Sequence, residues 1–132
     1  MKEVIAIIRM NMMGQTKKAL INAGFAAFTA LKVMGRGKGL VDMDLIHGAA
    51  EGLEDAIPPL VHGLRLIPKR LLYMVIPDEK VELLVETIMK VNRSGQGNGN
   101  PGDGKIFVMP VIDAIRIRTR ETGPEAISEM NE

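Results

Sequence analysis

The residues with the clearest chemical potential lie late in the chain, in Asn100-Pro101-Gly102-Asp103-Gly104-Lys105 and in Ile115-Arg116-Ile117-Arg118. Glycines let main-chain N–H groups approach an anion closely and line a concave nest. Lys105, Arg116 and Arg118 supply the positive charge a polyphosphate needs, the arginines through a planar fork that grips two oxygens at once. The run from Gly99 to Lys105 matches the first part of a Walker A loop. However, Ile106 stands where a magnesium-binding Ser or Thr belongs, and the loop enters a strand, so a P-loop NTPase is rejected. On these residues alone two plainer readings stay open: a hairpin turn at Gly102 to Lys105, and a solvated strand face carrying Arg116 and Arg118.

The apolar pattern supplies a frame for these groups. Val4-Ile5-Ala6-Ile7-Ile8 predicts a short strand buried on both faces. Leu20 and its neighbours at helical spacing predict a helix over 13–23, stopped by Gly24. A second strand is expected over 27–34, ending where Gly35, Gly37 and Gly39 interrupt regular structure. A third spans 69–76. Pro77-Asp78 then opens a second helix, with Asp78 as N-cap and Val81, Leu84, Val85 and Ile88 as its apolar stripe. The glycine-dense stretch 95–101 cannot be regular. A fourth strand is expected over 105–118, bent at Pro110, with Ile115 and Ile117 facing in and the two arginines facing out. The polar tail after Thr119 is expected to be mobile. The order β-α-β, long loop, β-α-β is that of a ferredoxin-like α+β fold in one domain, 1–132. Two helices on one sheet face leave the apolar other face uncovered, so assembly with other copies is expected.

Between the second and third strands, residues 38–68 form a connection far longer than compact domains usually carry. It holds Leu45, Ile46, Leu53 and Ile57 among many large apolar residues, too many for a solvated tail. Asp44 at the cap of a helical turn bearing those four, stopped by Pro58-Pro59, would give a segment that orders on meeting a partner. The segment contains no Ser, Thr or Tyr, so hydroxyl modification there is excluded and regulation is expected from ligands.

Composition narrows the remaining classes. At 132 residues the chain suits one core. Without cysteine there is no disulfide framework, thiolate metal site or thiol nucleophile, and His47 and His62 lack ligand spacing, so no protein metal site is expected. A net charge of +1 gives no general reason for DNA or membrane binding, and three Phe, one Tyr and no Trp offer few rings for base stacking. No apolar run reaches transmembrane length and no signal segment opens the chain, so a cytoplasmic protein is expected.

Taken together, the order of elements, Gly102-Asp103-Gly104-Lys105-Ile106-Phe107-Val108 and Ile115-Arg116-Ile117-Arg118-Thr119 resemble the nitrogen regulatory PII signalling family. The opening Met-Lys-Glu-Val-Ile-Ala-Ile-Ile-Arg, Ala19-Leu20, Ala23-Gly24 and Pro77-Asp78 extend the likeness over nearly the whole chain. The resemblance implies a non-enzymatic sensor: a ferredoxin-fold trimer that binds ATP or ADP between subunits and grips a target through its T-loop. Residues 38–68 would be that T-loop, 92–104 the nucleotide loop and 119–132 the C-terminal tail. It further implies that Gly102, Asp103, Gly104 and Lys105 hold phosphates, with Arg116 and Arg118 reaching them from the adjacent subunit. Thr29, Gly35, Gly37, Lys38 and Val75 would border the nucleotide. Lys69 would pair with 2-oxoglutarate, with Arg9 beside that pocket.

Two departures stand out against the family pattern. Gly39 replaces the glutamine that helps hold magnesium and 2-oxoglutarate, and the T-loop is long and lacks the family's modifiable tyrosine or serine. Long, unmodifiable T-loops are similar to those of PII-like proteins that accompany nitrogenase, which implies nitrogenase as target and a sister chain as oligomer partner. An ammonium transporter or another nitrogen-assimilation enzyme is the alternative target. Rival classes are a phosphoryl-transfer or acyl-phosphate enzyme, for which Asp103 is the only candidate base near the loop, and an RNA-binding sheet, weakened by the shortage of aromatics.

Overall fold

The computed structural model describes residues 1–37 and 66–128. Four strands and two helices alternate along it: β1 (Lys2–Arg9), α1 (Met13–Asn22), β2 (Thr29–Gly35), β3 (Ile67–Ile76), α2 (Val81–Asn92) and β4 (Lys105–Pro110). The sheet order is β2-β3-β1-β4 with every neighbouring pair antiparallel, the ferredoxin-like α+β arrangement expected from the sequence. Alternate residues of β1, Val4, Ala6 and Ile8, are buried under the helices together with Leu72, Met74 and Ile76 of β3. Leu20 of α1 and Leu84 and Ile88 of α2 close that core from above. The opposite face carries Ile5, Ile7, Leu71, Tyr73, Leu31 and Phe107 in cross-strand register. Tyr73, Leu31 and Phe107 are exposed there, so β1 is buried on its helix face and only half-buried on the other.

Local chemistry explains where the elements stop. The α1 helix ends in a Schellman motif: Gly24 takes φ +96°, Phe25 donates its N–H to Leu20 O at 2.8 Å, and Gly24 donates to Ile21 O at 3.1 Å. Phe25 is delivered into the core by that turn. The two helices also share a buried polar pair, in which Asn92 Nδ2 donates to Thr16 Oγ1 at 3.0 Å and Thr16 Oγ1 donates to Met12 O at 2.7 Å.

Several boundaries differ from expectation for identifiable reasons. The second strand is Thr29–Gly35, not 27–34. The third begins at Ile67 rather than 69; because β1 reaches only to the Arg9–Lys69 pair, Pro68 lies beyond β1 and its missing N–H costs no bond there. Asp78 does not cap the second helix. A 3-10 turn, Asp78–Lys80, precedes α2, and the Asp78 carboxylate instead meets the N-terminal ammonium and Lys2 Nζ, each at 3.0 Å. These partners, the N-terminal ammonium first, lower its pKa.

The expected long fourth strand ends at Pro110, the last residue paired with β1. Ile115 and Ile117 consequently face solvent, at 67% and 96% exposure, the reverse of the inward orientation read from the sequence. Within the described part of the tail a bridge joins Ile115 to Thr122, and a 3-10 turn spans Gly123–Ile127, in place of the mobile segment expected from the sequence. The expectations for Lys38, Gly39, Leu45, Ile46, Leu53 and Ile57, and for a helical turn from Asp44, fall outside the described residues.

Candidate phosphate site

The glycine loop is built around a carboxylate. Where α2 ends, Ser94 offers both its main-chain N–H and its hydroxyl to Asp103, the N–H at 3.1 Å. The Asn100 N–H donates to the same carboxylate at 2.8 Å, and Arg9 Nη1 reaches it from the end of β1 at 2.7 Å. Four donors hold the Asp103 carboxyl well below the usual aspartate range, the Ser94 hydroxyl contributing most and the Asn100 N–H next, against a smaller opposing effect of burial. Arg9 Nη2 also donates to Pro101 O at 3.0 Å. The chain passes so close beneath it that a Cβ at Gly102 would lie 3.2 Å from Arg9 Nη2, and one at Gly104 would collide with the carbonyl oxygen of Ile7. Both residues have positive φ, +94° and +125°, so conformation favours glycine at both, and at Gly104 space demands it as well.

Lys105 follows at the start of β4, opposite Ile7, on the sheet face that the helices leave open. Arg9 and Lys69 are cross-strand neighbours on that same face, and Lys69 lies against Gly35 at the end of β2. Arg9, Lys69, Lys105, Gly35, Gly37 and the loop 102–104 therefore gather at one end of the sheet. Between α2 and the start of β4 a cleft of about 440 Å³ opens, lined by Asn92, Arg93, Asp103, Gly104 and Lys105 and by apolar residues of both elements.

Thr29 begins β2 across from Tyr73, in the middle of the sheet and two residues along from the level of Lys105. The remaining expected ligands are at the opposite end: Val75 pairs with Glu3, and Arg116 and Arg118 follow the far end of β4. Six residues of β4 separate the two groups, roughly 17 Å at the usual strand rise. Within one chain the glycine loop and the two arginines are not brought together. Arg116 is held by the C-terminal turn, donating from Nε and Nη2 to Ala126 O at 3.3 and 3.2 Å and from Nη2 to Ser128 O. Its Nη1 is buried with no hydrogen-bond partner among the described residues. Arg118 is exposed at the tip of the preceding turn. The C-terminal turn forms one wall of a second cleft, about 510 Å³, whose other wall includes Ala27, Val75 and Lys80.

Ser94 and Asn100 carry the loop's architecture, and sequence reasoning missed both. Nothing in their spacing from Asp103 announces the fold-back that joins them. The capture of Arg116 by carbonyls of the tail was missed for the same reason. Among the described residues no group of His, Asp and Glu could hold a metal ion, and no helix is long and apolar enough to cross a membrane.

Residues 1–121 match the family described as nitrogen regulatory protein P-II. The chain is 47% identical over 127 residues to the "nitrogen fixation nifHD region glnB-like protein 2" of Methanococcus maripaludis, covering 96% of this chain and 100% of that protein. It is 45% identical over 127 residues to the protein of the same description from Methanobacterium ivanovii, covering 96% and 99%. Against the nitrogen regulatory protein P-II of Rhodobacter capsulatus the identity is 35%, covering 96% and 100%. The chain belongs to the nitrogen regulatory P-II family, whose members are signalling regulators.

Proposed function

We propose that this P-II chain is a nitrogen-status sensor that binds ATP or ADP in clefts between subunits of a trimer, with no catalytic residue of its own. One observation carries the reading. The glycine loop with Lys105 and the pair Arg116 and Arg118 lie at opposite ends of a four-stranded sheet, so both can serve one phosphate chain only when a second copy supplies the missing half. A head-to-tail contact of that kind makes a ring when its rotation closes, and the exposed apolar sheet face provides surface for it to bury. In each cleft Gly102, Asp103, Gly104 and Lys105 frame the phosphates. Thr29, Gly35, Gly37, Lys38 and Val75 border the nucleoside, and Arg116 and Arg118 reach in from the neighbour.

The target is nitrogenase, held by residues 38–68 through Leu45, Ile46, Leu53 and Ile57. This follows the nitrogen-fixation-region descriptions of the similar methanogen proteins. Magnesium and 2-oxoglutarate act as the second signal at Lys69 beside Arg9, weakened by Gly39 in place of a side-chain ligand. Occupancy shifts the loop between free and target-bound arrangements, which requires the effector to bind one of them more tightly.

Calorimetry with ATP, ADP and 2-oxoglutarate, alone and combined, tests the reading. Lys105→Ala and Arg116→Ala are each expected to weaken ATP binding by about tenfold or more, the loss of one charge-assisted contact. Unchanged ATP affinity in either variant, or no binding by the parent chain, contradicts it.

A further inference from the structure

We infer that Arg9 is a positioning residue: paired with Asp103, its guanidinium fixes the shape of the glycine loop before any phosphate arrives. This rests on the reading that the loop holds phosphate. Arg9 is the last residue of β1, and its register with β3 ends in the Arg9–Lys69 pair. The pairing of β1 with β4 stops two residues earlier, at Ile7–Lys105, so the Arg9 side chain is carried past the start of β4 onto the loop. There one planar fork spans three successive loop residues. Nη1 meets the Asp103 carboxylate at 2.7 Å, Nη2 meets Pro101 O at 3.0 Å, and Gly102 passes beneath, where a Cβ would stand a tight 3.2 Å from Nη2.

Asp103 extends the clamp to the end of α2 through the Ser94 N–H and hydroxyl and back into the loop through the Asn100 N–H. Three separate segments are thereby tied at one carboxylate. The Arg9 and Asp103 side chains are 32% and 18% exposed, partly shielded from competing water. With its charge committed to Asp103, Arg9 has less to offer a dicarboxylate than its neighbour Lys69, which forms no ion pair among the described residues. A loop already ordered spares the bound state the entropy of fixing it.

The test combines ligand-free and ligand-bound measurements on the full chain. In the ligand-free protein, amide hydrogen exchange at Ser94 and Asn100 is expected to speed up at least tenfold in Arg9→Ala while Val4 and Ala6 in the core of β1 keep parental rates. ATP affinity is expected to fall about tenfold in Arg9→Ala, equivalent to about 1.4 kcal/mol. Arg9→Lys, which keeps the charge but cannot span Asp103 and Pro101 together, should recover part of that loss. Asp103→Asn should lose a similar factor, and the double variant should be no worse than the weaker single, because both break one unit.

Unchanged exchange in Arg9→Ala overturns the inference, whatever happens to affinity. So does a double variant whose losses add, since Arg9 would then touch the nucleotide itself. If the parent chain binds no ATP, the proposed function fails, and the exchange measurement still decides whether Arg9 shapes the loop. Should Arg9→Ala fail to fold, Arg9→Lys carries the same exchange comparison.

Discussion

At the scale of single residues, Asp103 illustrates how a loop that reads as flexible becomes a defined surface. Glycine content signals mobility, but a carboxylate with four donors removes it: Ser94 twice, Asn100 and Arg9. The pH consequence follows from the direction of the shift. A carboxylate whose folded pKa is depressed contributes stability that is fully present above the ordinary aspartate range, declines as pH falls below that range and is gone once pH has passed the depressed value. Titration followed by NMR should therefore find the Asp103 carboxyl still ionised at about pH 3, where an ordinary aspartate is mostly protonated. A midpoint near the ordinary value would mean that the Ser94 and Asn100 donors do not act on it in solution. Gly102, Gly104 and Lys105 were legible as a candidate group because glycines beside a lysine form a recognisable anion-binding pattern. Ser94, Asn100 and the pairing of Arg9 with Asp103 were not, because they depend on a fold-back that no local pattern encodes.

At the scale of elements, the regular pieces that follow a periodic apolar pattern were legible, and those defined by their partners were not. Val81, Leu84, Val85 and Ile88 announce α2, and the run at Val4 announces β1, because periodicity reflects the core directly. The end of β4 cannot be read this way. Its sequence continues in a strand-like alternation to Arg118, but the β1 pairing ends at Lys2–Pro110, followed only by a Val111 N–H to Met1 O bond at 3.2 Å. The tail is ordered by Arg116 gripping carbonyls of Ala126 and Ser128, a contact invisible in composition. Between the helices, the Thr16–Asn92 hydrogen bond is fully enclosed, with Thr16 at 0% and Asn92 at 5% exposure. Thr16→Val keeps the branched shape but removes the hydroxyl, leaving a buried amide proton without that acceptor. The expected loss is about 1–2 kcal/mol, measured by urea unfolding at fixed protein concentration. A neutral effect would show that the pair contributes specificity of helix packing and little stability.

At the scale of the whole molecule, the sheet separates the two groups of residues proposed to share one nucleotide. One end carries the clamped glycine loop, Lys105, Lys69 and Gly35; the other carries Val75 and the arginines on the tail, with Thr29 midway between. Neither half surrounds a phosphate chain alone, and the apolar face between them is exposed in a single chain. On the proposed reading assembly and ligand binding are one problem: a nucleotide bound across the boundary would stabilise the ring. That logic makes residues of one site belong to different copies, which is directly testable. Lys105→Ala and Arg116→Ala chains, each deficient in ATP binding alone, are co-expressed with distinguishable tags and the mixed assemblies isolated. Calorimetry of those assemblies is predicted to recover parental ATP affinity at the boundary where an intact Lys105 from one copy meets an intact Arg116 from its neighbour. Mixed assemblies that bind ATP no better than either variant alone would contradict a site shared between subunits.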